Sequence, residues 1–226
     1  MVRIRGGIAA LLSLALAGPT GALTIDDFDQ GIISVFDDTN SAGATTQENG
    51  GLDPASAIGG VRFVTATAES ALATYGTAQV TSTGGSATVT ALQQGTYSFF
   101  YDGVADGAAN TTDGDLFLDL TGRDRFALTF VNTTAPEAEF RVTLWDGDSG
   151  SNAVYRSATT GVNEVLFTEF SGIDFGDVRT IRVQIAEVLN AGSLVVTDFS
   201  AVPEPGTAVL LGLGLLGLAT RARSRR

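Results

Sequence analysis

Phe140-Arg141-Val142-Thr143-Leu144-Trp145 alternates apolar and polar side chains with a period of two. Successive side chains of a strand point to opposite faces, so the stretch reads as a half-buried strand. Phe140, Val142 and Leu144 take the core side, and Glu139, Arg141, Thr143 and Trp145 take the other. Upstream, Phe126-Ala127-Leu128-Thr129-Phe130 has the same rhythm, and downstream Ile181-Arg182-Val183-Gln184-Ile185 has it again. Thr and Val crowd residues 61–67, 79–83 and 88–92, which suits a pleated surface. Gly- and Asp-rich turns separate the runs: residues 103–114, Asp146-Gly147-Asp148-Ser149-Gly150 and Gly59-Gly60. The Ser/Thr/Gly/Asn stretch 37–54 reads as a loop. No segment before the C-terminal tail keeps a helical apolar period. The chain therefore predicts an all-β, antiparallel two-sheet jelly-roll sandwich.

Composition narrows the chemistry. Residues 23–202 hold seven arginines and 24 acids, a net charge of −17 against −12 for the whole chain, and there is no lysine. Such a body repels nucleic acid and anionic lipid, and it stays soluble. The chain has no histidine and no cysteine. Ser-His-Asp and Cys-His catalysis, ordinary zinc sites and disulfides are thereby excluded. A glycosidase needs only two carboxylates. No acid pair here sits on a strand end with the apolar shielding that would raise one pKa, so the reading is non-enzymatic.

Both ends carry address information. Arg3 and Arg5, the apolar run 8–17 and the small residues Thr20-Gly21-Ala22 predict a secretory signal peptide over residues 1–22. Secretion machinery and signal peptidase are the partners it implies. At the other end stand Val202-Pro203-Glu204-Pro205, an uncharged apolar run 208–219, and Arg221, Arg223, Arg225 and Arg226. The two prolines stop regular structure. The arginines mark a cytoplasmic end. The apolar run predicts a C-terminal hydrophobic transmembrane helix, although twelve residues cover only ~18 Å of a ~30 Å hydrocarbon layer, so it spans with help from bilayer thinning and snorkelling arginines. Gly212, Gly214 and Gly217 spell a dinucleotide-binding pattern, but the chain ends where the rest of that domain would follow.

These three parts in this order resemble the PEP-CTERM sorting signal of Gram-negative bacteria, over residues 203–226. The resemblance implies cleavage by an exosortase, an inner-membrane-anchored precursor, and a product at the cell surface or in the extracellular matrix. It also implies association with exopolysaccharide and with biofilm or floc. Residues 23–202 are then one exported domain.

That domain resembles galactose-binding-like jelly rolls, a pattern shared by carbohydrate-binding modules. The likeness rests on Thr24-Ile25-Asp26-Asp27-Phe28-Asp29, Asp119-Leu120-Thr121, Phe140-Arg141-Val142-Thr143-Leu144-Trp145-Asp146-Gly147, residues 165–170 and 178–181, and Leu194-Val195-Val196-Thr197-Asp198-Phe199. In that family the first and last strands lie together and often help hold a structural calcium. The resemblance thus implies a calcium site at Asp26, Asp27 and Asp198, with solvated acids as the alternative. Asp102, Asp106, Asp113 and Asp115 in one loop, and Asp146 with Asp148 in another, offer oxygen ligands or plain turn residues.

For a glycan, the useful pair is Trp145 with Arg141, since an outward aromatic plate stacks on a sugar ring and a polar neighbour orients its hydroxyls. The same Trp could instead cover a sheet edge. Two functions stay open: a glycan-associated, non-catalytic module, and a structural or adhesive surface protein with no defined small ligand.

Overall fold

The computed structural model describes residues 21–37, 44–68, 78–82, 84–91, 95–105, 114–133, 138–147, 150–186 and 193–203. Residues 1–20 of the expected signal peptide lie outside the described residues. So do residues 204–226, with the expected hydrophobic helix and arginine cluster. Among the described residues, no helix is long and apolar enough to cross a membrane.

The first strands are β1 (Leu23–Asp26), β2 (Ile33–Asp37), β3 (Ala44–Gly50), β4 (Val61–Ala68), β5 (Ala78–Ser82), β6 (Ala87–Ala91) and β7 (Gly95–Tyr101). They are followed by β8 (Arg123–Thr133), β9 (Glu139–Asp146), β10 (Gly150–Ser157), β11 (Gly161–Leu166), β12 (Val178–Ala186) and β13 (Ser193–Pro203). Two antiparallel sheets result. One runs β11-β8-β13-β6-β5-β2 with β1 on β13, and the other runs β10-β9-β12-β7-β4-β3. This is the jelly-roll sandwich that the alternating stripes predict.

The faces match as well. Phe126, Leu128 and Phe130 from one sheet, and Phe140, Val142, Leu144, Ile181, Val183 and Ile185 from the other, are buried in a single core. Phe130 and Phe140 meet edge-on between the sheets with centroids 5.4 Å apart. That geometry suits the positive edge of one ring and the negative face of the other.

Three details differ from the sequence reading. Residues 44–50 form an edge strand, β3, in register with β4 from Ala44↔Thr67 to Gly50↔Val61. Its Ala-Thr-Thr-Gln-Glu-Asn-Gly composition carries no apolar stripe, and its order comes from the backbone ladder of its neighbour. Residues 165–170, which carry part of the jelly-roll likeness, are strand only at their start. β11 ends at Leu166, and Phe167–Glu169 makes one 3-10 turn with the Glu169 carboxylate accepting from the Leu166 N–H at 3.0 Å. Finally, Pro203 is the last residue of β13, opposite Arg123 across a register shift. A strand terminus tolerates the missing proline donor.

One polar group crosses the core. Asp26 ends β1, and its carboxylate accepts two bonds from Arg62 Nη1 of β4, at 2.8 and 2.7 Å, both side chains being 0% exposed. Tyr101 Oη donates to the same carboxylate at 2.8 Å, and the Phe28 N–H donates at 2.8 Å. The Phe28 bond holds that residue at φ 57, and its ring lies 5.3 Å from the guanidinium. Arg62 Nη2 donates to the Gln30 and Gly31 carbonyls. Burial pushes the Asp26 carboxyl pKa up while the Arg62 charge opposes it. The network joins β1 in one sheet to β4 and β7 in the other.

Removing one partner leaves a buried charge unpaired. Arg62→Met should therefore destabilise by about 3–5 kcal/mol. Arg156→Met, which breaks the exposed pair with Glu169, should cost about 1 kcal/mol or less. Denaturant unfolding of both variants checks the contrast.

Candidate functional site

The outer face of the β10-β9-β12-β7-β4-β3 sheet collects polar and aromatic side chains in rows, because each strand turns its alternate residues away from the core. One row runs Tyr155, Arg141, Gln184 and Ser98 across β10, β9, β12 and β7. The next runs Thr143, Arg182, Phe100 and Phe63 across β9, β12, β7 and β4.

Arg141 organises the first row. Its Nη1 donates to Tyr155 Oη at 2.7 Å, its Nη2 donates to Gln184 Oε1, and its guanidinium carbon lies 5.3 Å from the Tyr155 ring centroid. Tyr155 is 57% exposed. Beside it opens a cleft of about 200 Å³ lined by Thr96, Glu139, Arg141, Tyr155, Gln184 and Ala186. In the second row Arg182 lies 5.0 Å over the Phe100 ring and donates to Ser98 Oγ from Nε and Nη2, at 3.2 and 2.9 Å. Partial burial and then the nearby Arg141 charge lower its pKa.

Trp145 shares the outer face with Arg141 but occupies a different place. It stacks on Phe100 with centroids 6.1 Å apart at 23°, beside the buried Val61 and Phe63. The indole is half-buried against this satellite cluster and does not line the cleft. The fully outward plate on this sheet is Tyr155. Sequence reasoning passed over it because Asn152-Ala153-Val154-Tyr155-Arg156 shows little alternation.

The predicted calcium residues divide: Asp26 leaves the set, whereas Asp27 and Asp198 stay close enough for the charge of one to act on the other. Asp26 points into the core toward Arg62. Asp27 Oδ1 accepts from the Asp29 N–H at 2.9 Å and from Ser56 Oγ. Asp198 Oδ2 accepts from Ser200 Oγ at 3.1 Å. Burial, and to a lesser degree the Asp27 charge, raise the Asp198 pKa. β1 does lie on β13, with Asp26 opposite Phe199. Among the described residues, no three acids gather as a metal site. Of the loop acids, Asp102 accepts from the Val104 N–H at 3.1 Å and Asp146 from the Asp174 N–H at 2.7 Å. These are loop-fixing bonds. Asp106, Asp113 and Asp148 lie outside the described residues.

Among the described residues, the carboxylates on the outer face are also far apart. Glu139 stands on β9, and Glu48 stands opposite Phe63 on β3, four strands away. Four spacings of ~4.8 Å give ~19 Å, whereas paired glycosidase carboxylates sit ~5–9.5 Å apart.

Residues 201–226 match the PEP-CTERM protein-sorting motif, so the chain carries this motif at its C-terminus. Val202 and Pro203, both half-buried, form the end of β13, and Glu204 and Pro205 lie outside the described residues. No curated relative matches the chain. Among solved structures, it is similar to the family 11 carbohydrate-binding module of a cellulosomal cellulase of Clostridium thermocellum. The identity is 14% over 82% of this chain and 96% of that one, with a TM-score of 0.42. The xylan-binding module CBM15 is also similar, at 13% identity over 77% of this chain and 98% of that one, with a TM-score of 0.37. TmCBM61 in complex with β-1,4-galactotriose is 10% identical over 53% of this chain and 70% of that one, with a TM-score of 0.34.

The raised Asp198 pKa has a definite sign. The fold disfavours the charged carboxylate, so stability falls as the pH rises from the ordinary value of 3.8 through the folded pKa. Asp198→Asn should flatten that decline, leaving stability at neutral pH equal to or above wild type. Thermal midpoints from about pH 4 to about pH 7 in EDTA check this. In the same assay, a calcium-dependent gain present in wild type and absent from the variant would locate an ion at Asp198.

Proposed function

We propose that the chain is an exported, non-catalytic glycan-binding module that recognises saccharide on the outer face of its six-stranded sheet. The observation that carries this reading is the exposed Tyr155 ring, fixed by Arg141 beside a cleft edged by Gln184, Thr96 and Glu139. A pyranose ring stacks on an aromatic face through its axial C–H groups. Its hydroxyls need both donors and acceptors at the rim. Arg141 and Gln184 donate, Glu139 and Gln184 accept, and Thr96 does both. No histidine, cysteine or lysine is needed. With Trp145 half-buried against Phe100, Tyr155 is the better candidate for the stacking residue, and Trp145 stiffens the same face.

The C-terminal motif supports delivery to the cell surface through an exosortase after export. In that setting an exopolysaccharide of biofilm or floc is the accessible glycan. A structural or adhesive role without a defined ligand is the second reading. It is favoured by the exposed Val131 and Val162, 55% and 62% exposed on the other sheet. Calcium between Asp27 and Asp198 would be structural in either case.

Tyr155→Ala should weaken glycan binding at least about tenfold, ~1.4 kcal/mol. The thermal midpoint should barely move, because the ring is largely exposed. Affinity electrophoresis against a panel of neutral and acidic polysaccharides checks both halves; unchanged binding would remove Tyr155 from the site. Separately, replacing Pro203-Glu204-Pro205 by alanines should leave unprocessed precursor in the membrane, read by its size on a blot of membrane fractions.

A further inference from the structure

Arg141 and Arg182 stand on neighbouring strands at diagonal positions, since Arg141 is paired with Gln184 and Arg182 lies two residues before it. Diagonal neighbours lie ~7–8 Å apart, within reach of long side chains, and like charges so placed repel. Among the described residues, neither guanidinium has a carboxylate partner, although Arg62, Arg125, Arg156 and Arg179 each do. This occurs in a body where acids outnumber arginines by 24 to seven. Each arginine has five N–H donors. Arg141 directs donors to Tyr155 and Gln184, and its Nε is buried without a partner among the described residues. Arg182 directs two donors at the single acceptor Ser98 Oγ. The pair is also partly desolvated, which lowers the pKa of Arg182. Two adjacent, partly dehydrated cations with donors to spare form a site whose charge is not neutralised by a direct ion pair, the single Glu139 carboxylate edging the same cleft without pairing either guanidinium.

From this geometry we infer that the ligand is acidic, a uronate-bearing polysaccharide whose ring carboxylate is taken by Arg141 and Arg182 while a sugar ring stacks on Tyr155. The inference rests on the glycan-binding reading above. A planar carboxylate matches the guanidinium fork in a way that a sugar hydroxyl does not. Removing it from water is offset by two cations already stripped of part of theirs. The −17 body opposes a polyanion at long range. That repulsion is screened beyond ~8 Å at physiological ionic strength, whereas direct contact with the pair is not.

The full-length protein in a sugar-free polyoxyethylene detergent, with EDTA to remove calcium bridges, should be titrated with polygalacturonate and with its fully methyl-esterified form. The two polymers share a backbone and differ in charge. The acid form should bind at least about tenfold more tightly, an order of magnitude being what one bidentate ionic contact contributes. Arg141→Gln and Arg182→Gln should each bring it toward the level of the ester, and Arg182→Lys should keep part of the preference. Changing Arg221, Arg223, Arg225 and Arg226 to Gln should leave the preference intact, which separates the face from the basic tail.

Equal affinity for the acid and the ester in wild type, a comparison that needs no variant, would overturn the acidic inference and leave glycan binding standing. Dextran sulfate binding as tightly as polygalacturonate would overturn the carboxylate assignment. Failure to bind either polymer or any neutral glycan would remove the glycan reading itself.

Discussion

The outward face of β9 is fixed by its inward one. Phe140, Val142 and Leu144 are fully buried against the opposite sheet. Because the side-chain period of a strand is two, that burial leaves Arg141, Thr143 and Trp145 nowhere to point but outward. A slip of one residue against β12 would bury Arg141 and expose Phe140, Val142 and Leu144. The apolar side chains on the core side of this strand therefore specify the register that brings Arg141 opposite Gln184 and Tyr155. The side chains proposed for recognition on the outer face are held in place by hydrophobic burial behind them.

A second constraint keeps the two sheets in one arrangement. Apolar packing alone is tolerant of small slides, whereas the Asp26–Arg62 pair, with Nη1 donating to both carboxylate oxygens and Tyr101 and Phe28 donating beside it, has one geometry. Buried ion pairs add little net stability over apolar replacements, so a contribution to alignment is the more economical account of this one. It lies on β4, next to Phe63 on the outer side of the same strand. Phe63 in turn belongs to the cluster on which Trp145 rests.

Much of the fold is legible in the sequence, and less of the site. The stripes at 126–130, 140–144 and 181–185 announce both the sandwich and its inner face, since each strand carries its own alternation. β3 and β10 do not announce themselves, because an edge strand takes its order from one neighbour and needs no apolar stripe. Tyr155 is on β10, so the exposed ring was the residue hardest to see. The sequence offers Asp26 as a calcium ligand or a solvated acid, and its actual partner Arg62 lies 36 residues later. A pairing of that range leaves no trace in local pattern. Arg141 and Gln184 were both placed outward by alternation, but their meeting across β9 and β12 needed the register.

In the proposed reading an acidic domain with a basic tail divides its tasks along the chain: the C-terminal motif addresses it, and one sheet face carries the recognition chemistry. The most direct test of that face is an NMR titration of the isotope-labelled protein with a short oligogalacturonate, following backbone amides. The account predicts shifts clustered on β9, β10 and β12 around Arg141, Tyr155, Arg182 and Gln184, with β8 and β11 unmoved. Shifts centred on Val131 and Val162 of the other sheet, or none with any saccharide tried, would contradict it.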